Sequence, residues 1–275
     1  MGVLSIVATP IGNLEDVTLR ALRVLAEADL VLAEDTRRTR ILLDRHAVKA
    51  RPLSLHAHNE TARVSRVLAT LDAGGAVALV SDAGTPLVSD PGARLVAAAL
   101  EAGHEVTAIP GPSAPLAAMV VSGLPADCFA FQGFLPRRKG AREALLASLC
   151  DYPGALIFFE SPRRVAATLR ALAATLGDRP ACVARELTKL HEEAARGTLL
   201  ELAEQFSEGA RGEITIVVGA GAEVSISDPA DLDDEIRERL VGGHSSREIA
   251  TELAHASGLA RRAVYERVLV LRGAR

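Results

Sequence analysis

A chain of 275 residues, 49% hydrophobic and 24% charged, has the apolar mass for one large or two modest cores, which excludes fibrous and disordered classes. Its formal net charge of −4 supplies no global pull on nucleic acid, so such a partner must be held by a local basic patch. Aromatics at 3%, without tryptophan, exclude a broad base-stacking platform, and the scattered Cys128, Cys150 and Cys182 point to reduced thiols, not a disulfide framework or structural zinc.

Residues 3–9, 30–33, 77–81 and 106–109 are short apolar runs that predict buried strands. Residues 16–28, 59–73 and 91–103, between them, have helical spacing and caps. The alternation predicts an α/β unit with a mostly parallel sheet, where ligands bind at the carboxyl ends of strands. The loops there are Thr9-Pro10-Ile11-Gly12-Asn13, Glu34-Asp35-Thr36-Arg37, Ser81-Asp82-Ala83-Gly84-Thr85-Pro86 and Pro110-Gly111-Pro112-Ser113. All four are rich in polar or turn residues and fall on one edge. A helix over 114–123 runs to a break at Leu124-Pro125. Strands at 129–134, 155–159, 181–184 and 214–218, with helices at 141–150, 165–176 and 199–206, then form a second α/β unit. The charge-rich stretch 221–234 reads as a linker. Ser245-Ser246-Arg247-Glu248 is a capping box ahead of Ile249, Leu253 and Ala254. Ser257-Gly258-Leu259 breaks that helix and 261–271 makes another. The end of the chain is either a helix-turn-helix-like tail or a hairpin that packs on the body. The expected division is an N-terminal α/β domain 1–113, a C-terminal α/β domain 114–222, a linker 223–239 and the tail 240–275.

No G-x-G-x-x-G follows the first strand and no G-x-x-x-x-G-K-[ST] occurs, so dinucleotide and P-loop sites are poorly supported. In the stretch 81–91, two Asp, two Gly and two Pro specify the backbone tightly. Asp82 suits a ligand amine or hydroxyl, and Gly84 lets that ligand reach the main chain. Asp90 reads instead as a helix cap before Pro91. Glu34 and Asp35 beside Arg37 and Arg38 are either acid–base and phosphate-gripping groups or an ordinary helix start with a solvated basic face. His56 and His58 are metal-like, but no third ligand lies near and Asn59 is a good cap, so no metal is expected. Arg137, Arg138, Lys139 and Arg142, directly after Phe131-Gln132-Gly133-Phe134, are the densest basic cluster. A loop of this kind suits RNA backbone contact, with plain solvation as the alternative. No apolar run approaches bilayer length and MGVLSIVATP lacks a basic leader, so a cytoplasmic protein without membrane contact is expected.

The series Ala8-Thr9-Pro10-Ile11-Gly12-Asn13-Leu14, Ala33-Glu34-Asp35-Thr36-Arg37, His56-Ala57-His58-Asn59-Glu60, Ser81-Asp82-Ala83-Gly84-Thr85-Pro86, Pro110-Gly111-Pro112-Ser113-Ala114, Gly133-Phe134-Leu135-Pro136, Phe159-Glu160-Ser161 and Ala184-Arg185-Glu186-Leu187-Thr188-Lys189 closely resembles the RsmI methyltransferases. The order and spacing of the pieces carry the likeness over nearly the whole chain.

That resemblance implies the tetrapyrrole-methylase fold: two α/β domains, each a mixed sheet flanked by helices, with the cofactor in the cleft between them, usually as a homodimer. It implies methyl transfer from S-adenosyl-L-methionine to the 2′-oxygen of a cytidine in the decoding region of 16S rRNA, with the small ribosomal subunit as partner. Carried over by position, the cofactor's neighbours are Pro10, Asp82, Ala83, Gly84, Thr85, Ser113 and Ala114. From the second domain Phe134, Arg185, Glu186, Glu213, Ile214 and Thr215 would close over the adenosine. Many corrin and sirohaem methylases carry a Gly-Asp-Pro type of loop where this chain has Asp82-Ala83-Gly84-Thr85-Pro86, which favours RNA as acceptor. Arg37, Arg38, Arg137, Arg138, Lys139 and Arg142 are the expected RNA contacts. A ribose hydroxyl is a weak nucleophile, so a base or an alkoxide-stabilising cation should help. Glu34, Asp35, His58, Glu160 and Lys189 are candidates, with Glu34 and Lys189 foremost because each lies at a strand exit facing the cleft.

Overall fold

The run VLSIV forms strand β1 (Val3–Val7), whose last four residues are buried because helices cover both faces of its sheet. The computed structural model describes residues 1–56, 59–221, 229–257, 259 and 261–273. They divide into two units, Met1–Gly219 and Ala220–Arg275.

The first half of the larger unit runs β1, α1 (Leu19–Glu27), β2 (Leu30–Ala33), α2 (Thr36–Arg45), β3 (Pro52–Ser54), α3 (Glu60–Asp72), β4 (Ala76–Val80), α4 (Ala93–Glu101) and β5 (Glu105–Ile109). Its sheet has the order β3-β2-β4-β1-β5, and every pairing is parallel. Strand periodicity splits the core in two. Val7, Val31, Ala33, Ala78 and Val80 face Ala21, Leu25 and Leu43 of α1 and α2. Leu4, Ile6, Leu32, Val77 and Leu79 face Val67, Leu71, Leu95 and Ala99 of α3 and α4.

Helix α5 (Ala114–Ser122) leads into the second half: β6 (Phe129–Phe134), α6 (Lys139–Ala147), β7 (Ala155–Glu160), α7 (Val165–Leu176), β8 (Pro180–Arg185), β9 (Glu193–Thr198), α8 (Leu199–Gln205) and β10 (Ile214–Val218). This sheet is mixed, in the order β6-β7-β10-β8-β9, with β6 parallel to β7 and the other pairings antiparallel. One face packs on α6, α7 and α8. The other packs on Ala118 and Met119 of α5 and on Ile11, which inserts from the first half.

The smaller unit holds α9 (Pro229–Val241), α10 (Ser246–Ser257) and α11 (Arg261–Gly273) around Leu232, Ile236, Ile249, Leu253, Val264 and Val268. The expected capping box forms, with Ser245 N–H donating to Glu248 Oε2 at 2.9 Å and Glu248 N–H to Ser245 Oγ at 3.3 Å. Residues 229–239, expected as linker, are helical, because Leu232 and Ile236 give that charged stretch an apolar stripe. Residues 222–228 of that linker and the break at Gly258 lie outside the described residues.

Two further elements carry weak sequence signals. Helix α2 follows from Asp35, which accepts the Arg37 N–H at 2.8 Å as N-cap, and from buried Thr39, Leu42 and Leu43 at helical spacing. Strand β9 is polar because it is a sheet edge, where charge is tolerated and useful.

Candidate active site

The parallel sheet brings its strand exits to one edge, and backbone contacts lock them there. Thr9 and Gly84 exchange N–H···O bonds of 2.9 and 3.0 Å, stitching the loop after β1 to the loop after β4. Gly84 makes this possible with φ +81°. Thr85 Oγ1 donates to Pro112 O at 3.4 Å and ties in the loop after β5. Asp82 Oδ1 accepts the Asp35 N–H at 2.8 Å, which ties in the exit of β2.

Asp90 does not cap α4, as the sequence suggests. Gly92 is the N-cap residue, at φ 125°, where a Cβ would lie 2.6 Å from Leu79 Cδ2. Buried Glu60 supplies the cap, with Oε1 accepting from Arg94 N–H at 3.0 Å and Leu95 N–H at 3.2 Å. A remote carboxylate reaches that helix start because α3 packs against α4. Asp90 is thereby released to line a cavity.

The second half contributes through a different geometry. Because β10 runs antiparallel to β7 and β8, its amino end sits beside their carboxyl ends, with Ile214 in register with Glu160 and Arg185. Phe134, 59% exposed, leans on Phe159 with ring centroids 5.5 Å apart, and Phe131 meets the same ring at 4.8 Å.

Two cavities result. The larger, about 410 Å³, lies between Asp82–Thr85, Asp90, Ser113–Pro115, Phe134, Phe159 and the stretch 212–215. The smaller, about 310 Å³, lies between Thr9–Gly12, Arg38, Thr39, Ser81–Ala83 and Lys189. Ile11, Arg38, Asp82, Ala83 and Glu213 border both. Each is in the usual size range of a small-molecule site, roughly 300–1,000 Å³.

Charge is concentrated at the shared wall. Burial pushes the Glu34 carboxyl above its ordinary 4.5, and the nearby carboxylates of Asp90 and Asp82 add to the rise. Burial likewise raises Asp90 above 3.8, against a hydrogen bond from Ser81. Asp35 goes the other way, held at about 2 by hydrogen bonds from Arg37, whose side chain is otherwise 88% exposed. Arg38 Nε lies 3.7 Å from Asp82 Oδ2.

Of the residues expected at the cofactor, Asp82, Ala83, Gly84, Thr85, Ser113, Ala114, Phe134, Glu213, Ile214 and Thr215 line the larger cavity, and Pro10 lines the smaller. Arg185 and Glu186 line neither. Arg185 Nε and Nη2 both donate to Glu193 Oε2, at 3.0 and 2.6 Å. Glu186 Oε1 accepts from Lys189 Nζ at 2.9 Å and from Glu213 N–H at 2.9 Å. Lys189 lines the smaller cavity, whereas Glu34 stands outside both linings. Glu160 lines the larger cavity, but its carboxylate is engaged, accepting Ser161 N–H at 2.7 Å and the Thr168 hydroxyl at 2.5 Å. His58 lies outside the described residues.

Arg37, Arg137, Arg138 and Lys139 are exposed and Arg142 is half-buried; none of these borders a cavity. Among the described residues no three His, Cys, Asp or Glu gather as a metal site. Sequence reasoning missed Ile11, Val88, Ser89, Pro115, Phe159, Ser161, Pro162, Ala184, Leu187 and Gly212 as residues of the larger cavity, and treated Asp90 as a cap. Most of them lie near strand ends, a signal that does not say which side chains turn inward.

The model of the Tetrapyrrole (Corrin/Porphyrin) Methylases matches residues 3–203. The chain is 48% identical over 272 residues to the Ribosomal RNA small subunit methyltransferase I of Mesorhizobium japonicum, covering 98% of this chain and 92% of that protein. It is 49% identical over 219 residues to the protein of the same name from Thermotoga maritima, covering 79% of this chain and 98% of the other. Among solved structures, a uroporphyrin-III C-methyl transferase from Thermus thermophilus complexed with S-adenyl homocysteine superposes with a TM-score of 0.57 at 23% identity, covering 79% of this chain and 97% of that one. At that identity the likeness speaks for the fold. No helix among the described residues is long and apolar enough to cross a membrane.

Proposed function

Because the chain belongs to the tetrapyrrole methylases and, within them, to the ribosomal RNA small subunit methyltransferase I family, we propose that it methylates the ribose 2′-oxygen of a cytidine in the decoding region of 16S rRNA, using S-adenosyl-L-methionine. The observation that carries this reading is the pair of cavities across one wall: a larger one with carboxylates and an aromatic pair, and a smaller one that adds Lys189 to Arg38.

The larger cavity fits the cofactor by its donor set. Asp82 and Asp90 suit a cationic ammonium and sulfonium, and Phe134 with Phe159 offers apolar faces for a purine. A Cβ on Gly84 would lie 3.4 Å from Ile11 Cγ2, so larger side chains there would crowd the cavity wall. The backbone of Ser113 and Ala114 completes the cradle. When bound, S-adenosyl-L-methionine supplies a methyl group on a positively charged sulfur, which needs no metal to become electrophilic.

The protein's own work is alignment and charge. Holding donor and acceptor in line across the Ile11, Asp82 and Ala83 wall supplies the proximity term. The proton released by the ribose hydroxyl passes to the carboxylate cluster, in which Asp82 borders both cavities and Glu34, behind the linings, is raised above its ordinary 4.5 by burial and by its acidic neighbours. Lys189 stabilises the oxygen as it loses that proton. Arg37, Arg38, Arg137, Arg138, Lys139 and Arg142 grip the RNA backbone, which compensates locally for the net charge of −4. The active species is a cytoplasmic homodimer acting on the small ribosomal subunit.

The test is incubation with labelled cofactor and small subunits from cells lacking the modification, followed by mapping of the labelled nucleotide. One 2′-O-methylated cytidine in the decoding region is expected. Label on the base, or none with demonstrated cofactor binding, would overturn the reading.

A further inference from the structure

The strained turn between β8 and β9 reaches the larger cavity through Leu187 and the smaller one through Lys189. Residues 185–189 hold Glu186 at φ 51° and Thr188 at φ 63°. A β-branched residue in that region is an outlier, kept there only when its surroundings over-determine it. Those surroundings are identifiable. Thr188 Oγ1 accepts the Asn13 N–H at 3.0 Å, and Thr188 N–H donates to Glu192 Oε2 at 2.9 Å. Glu186 N–H donates to Glu213 O at 3.0 Å. The turn also lies flat on Gly12, where a Cβ would sit 2.5 Å from Lys189 Cγ and 2.7 Å from Thr188 Oγ1.

The Glu186 carboxylate lines neither cavity. Its Oε1 accepts from Lys189 Nζ and from the Glu213 amide, each at 2.9 Å, and Glu213 Oε2 lies 3.1 Å from the same Nζ. Gly212 leaves the space this needs, because a Cβ there would lie 2.3 Å from the Glu186 carboxyl carbon. Of the cations lining the cavities, among the described residues, Arg38 borders both, beside Asp82 and Glu213, and Lys189 stands on the smaller one alone. A ribose hydroxyl flanked by a phosphodiester is the acceptor such a lining suits.

Resting on the methyltransferase reading above, we propose that Glu186 and Thr188 are positioning residues that deliver Lys189 as a fixed ammonium to the acceptor side, with the smaller cavity seating the target ribose and its neighbouring phosphate. Lys189 then works by charge, not by taking a proton. Burial lowers its pKa, but the hydrogen bonds to Glu186 and Glu213 outweigh that and hold it above its ordinary 10.5. Glu186 is not a cofactor ligand in this arrangement. Its substitution should leave cofactor affinity intact and strike the turnover.

The experiment uses the full chain, labelled S-adenosyl-L-methionine and small subunits lacking the methyl group, with kcat, KM and calorimetric cofactor Kd measured for E186Q, T188V and T188S. Since one charge-stabilising contact is typically worth about 100-fold in turnover, E186Q should lower kcat by roughly 30-fold or more with cofactor Kd unchanged within about twofold. The alkaline decline of its rate should begin at lower pH than in wild type. T188V should lose about tenfold in kcat, and T188S, which keeps the hydroxyl for Asn13, should recover most of it. An E186Q variant with wild-type kcat, or one whose cofactor Kd collapses while kcat holds, overturns the proposal. If E186Q unfolds, T188V against T188S decides alone, and equal rates for the two overturn it. A wild-type chain that binds cofactor but labels no subunit defeats the methyltransferase reading itself.

Discussion

The two sheets of the larger unit reach the same cleft by opposite geometric routes. In the parallel sheet every strand points its carboxyl end at one edge, so the loops after β1, β2, β4 and β5 converge without further instruction. In the mixed sheet, β7 and β8 arrive by their carboxyl ends and β10 by its amino end, in register at Ile214 with Glu160 and Arg185. The parallel half therefore offers a contiguous set of backbone and carboxylate groups for a small ligand. The mixed half offers separate side chains: Phe134, Glu213 and Lys189. The first sheet is a cradle and the second a closure. What joins them is small: Ile11 in the second core, Gly12 under the turn at 185–189, and the Asn13–Thr188 hydrogen bond.

The sharpest way to break that joint is Gly12→Val. A branched side chain would collide with Lys189, Thr188 and the carbonyl of Leu187, so the closure must move away from the cradle. Misplacement by about 1 Å costs ~100-fold in catalysis, and overpacking costs about 1–3 kcal/mol, so methylation should fall ~100-fold with a lowered Tm. Wild-type rates measured alongside an unchanged melting curve would show that the two halves need not touch.

Glu34→Gln probes the cradle by itself. Turnover should drop roughly tenfold or more while cofactor affinity holds, as expected for loss of a general base. Stability should move the other way. The folded-state pKa of Glu34 is raised, so its ionisation costs stability as pH climbs from the ordinary 4.5 through the raised value. At neutral pH the neutral amide should therefore melt at the same temperature as wild type or slightly higher. The wild-type rate should also rise with pH through that window, and the variant should lose this limb. A pH profile identical in the two proteins would remove Glu34 from the chemistry.

The smallest effect is expected from the basic loop at the start of α6. Replacing Lys139 with Ala should weaken subunit binding uniformly and reduce the slope of log affinity against log salt by about 1, with kcat untouched. A binding curve with the wild-type salt slope would place that loop outside the RNA interface.

Much of this was legible from residue order. The strands at 30–33, 129–134 and 214–218 fall where apolar runs put them, as does α7 at 165–176. The capping box at Ser245 and Glu248 forms as its spacing requires. The four polar loops of the first half also signalled a cleft, because a parallel sheet leaves them one edge to occupy. Less accessible was anything that depends on a partner far along the chain. Asp90 looks like a cap until Glu60, 30 residues earlier, takes that role and leaves Asp90 facing a cavity. Glu160 looks like a candidate base until Thr168 and Ser161 use up its oxygens. Arg185 and Glu186 share a motif with Lys189, yet only Lys189 reaches a cavity.

By itself, then, the sequence determined the alternation of strands and helices, the edge where the loops gather and the family, because these rest on local periodicity and on motif order. Tertiary structure decided which carboxylates remain available and which cation lines a cavity. Those outcomes turn largely on partners distant in the chain, such as Glu60 with Leu95 and Glu213 with Lys189, and on glycines whose missing Cβ makes room, which no local pattern encodes.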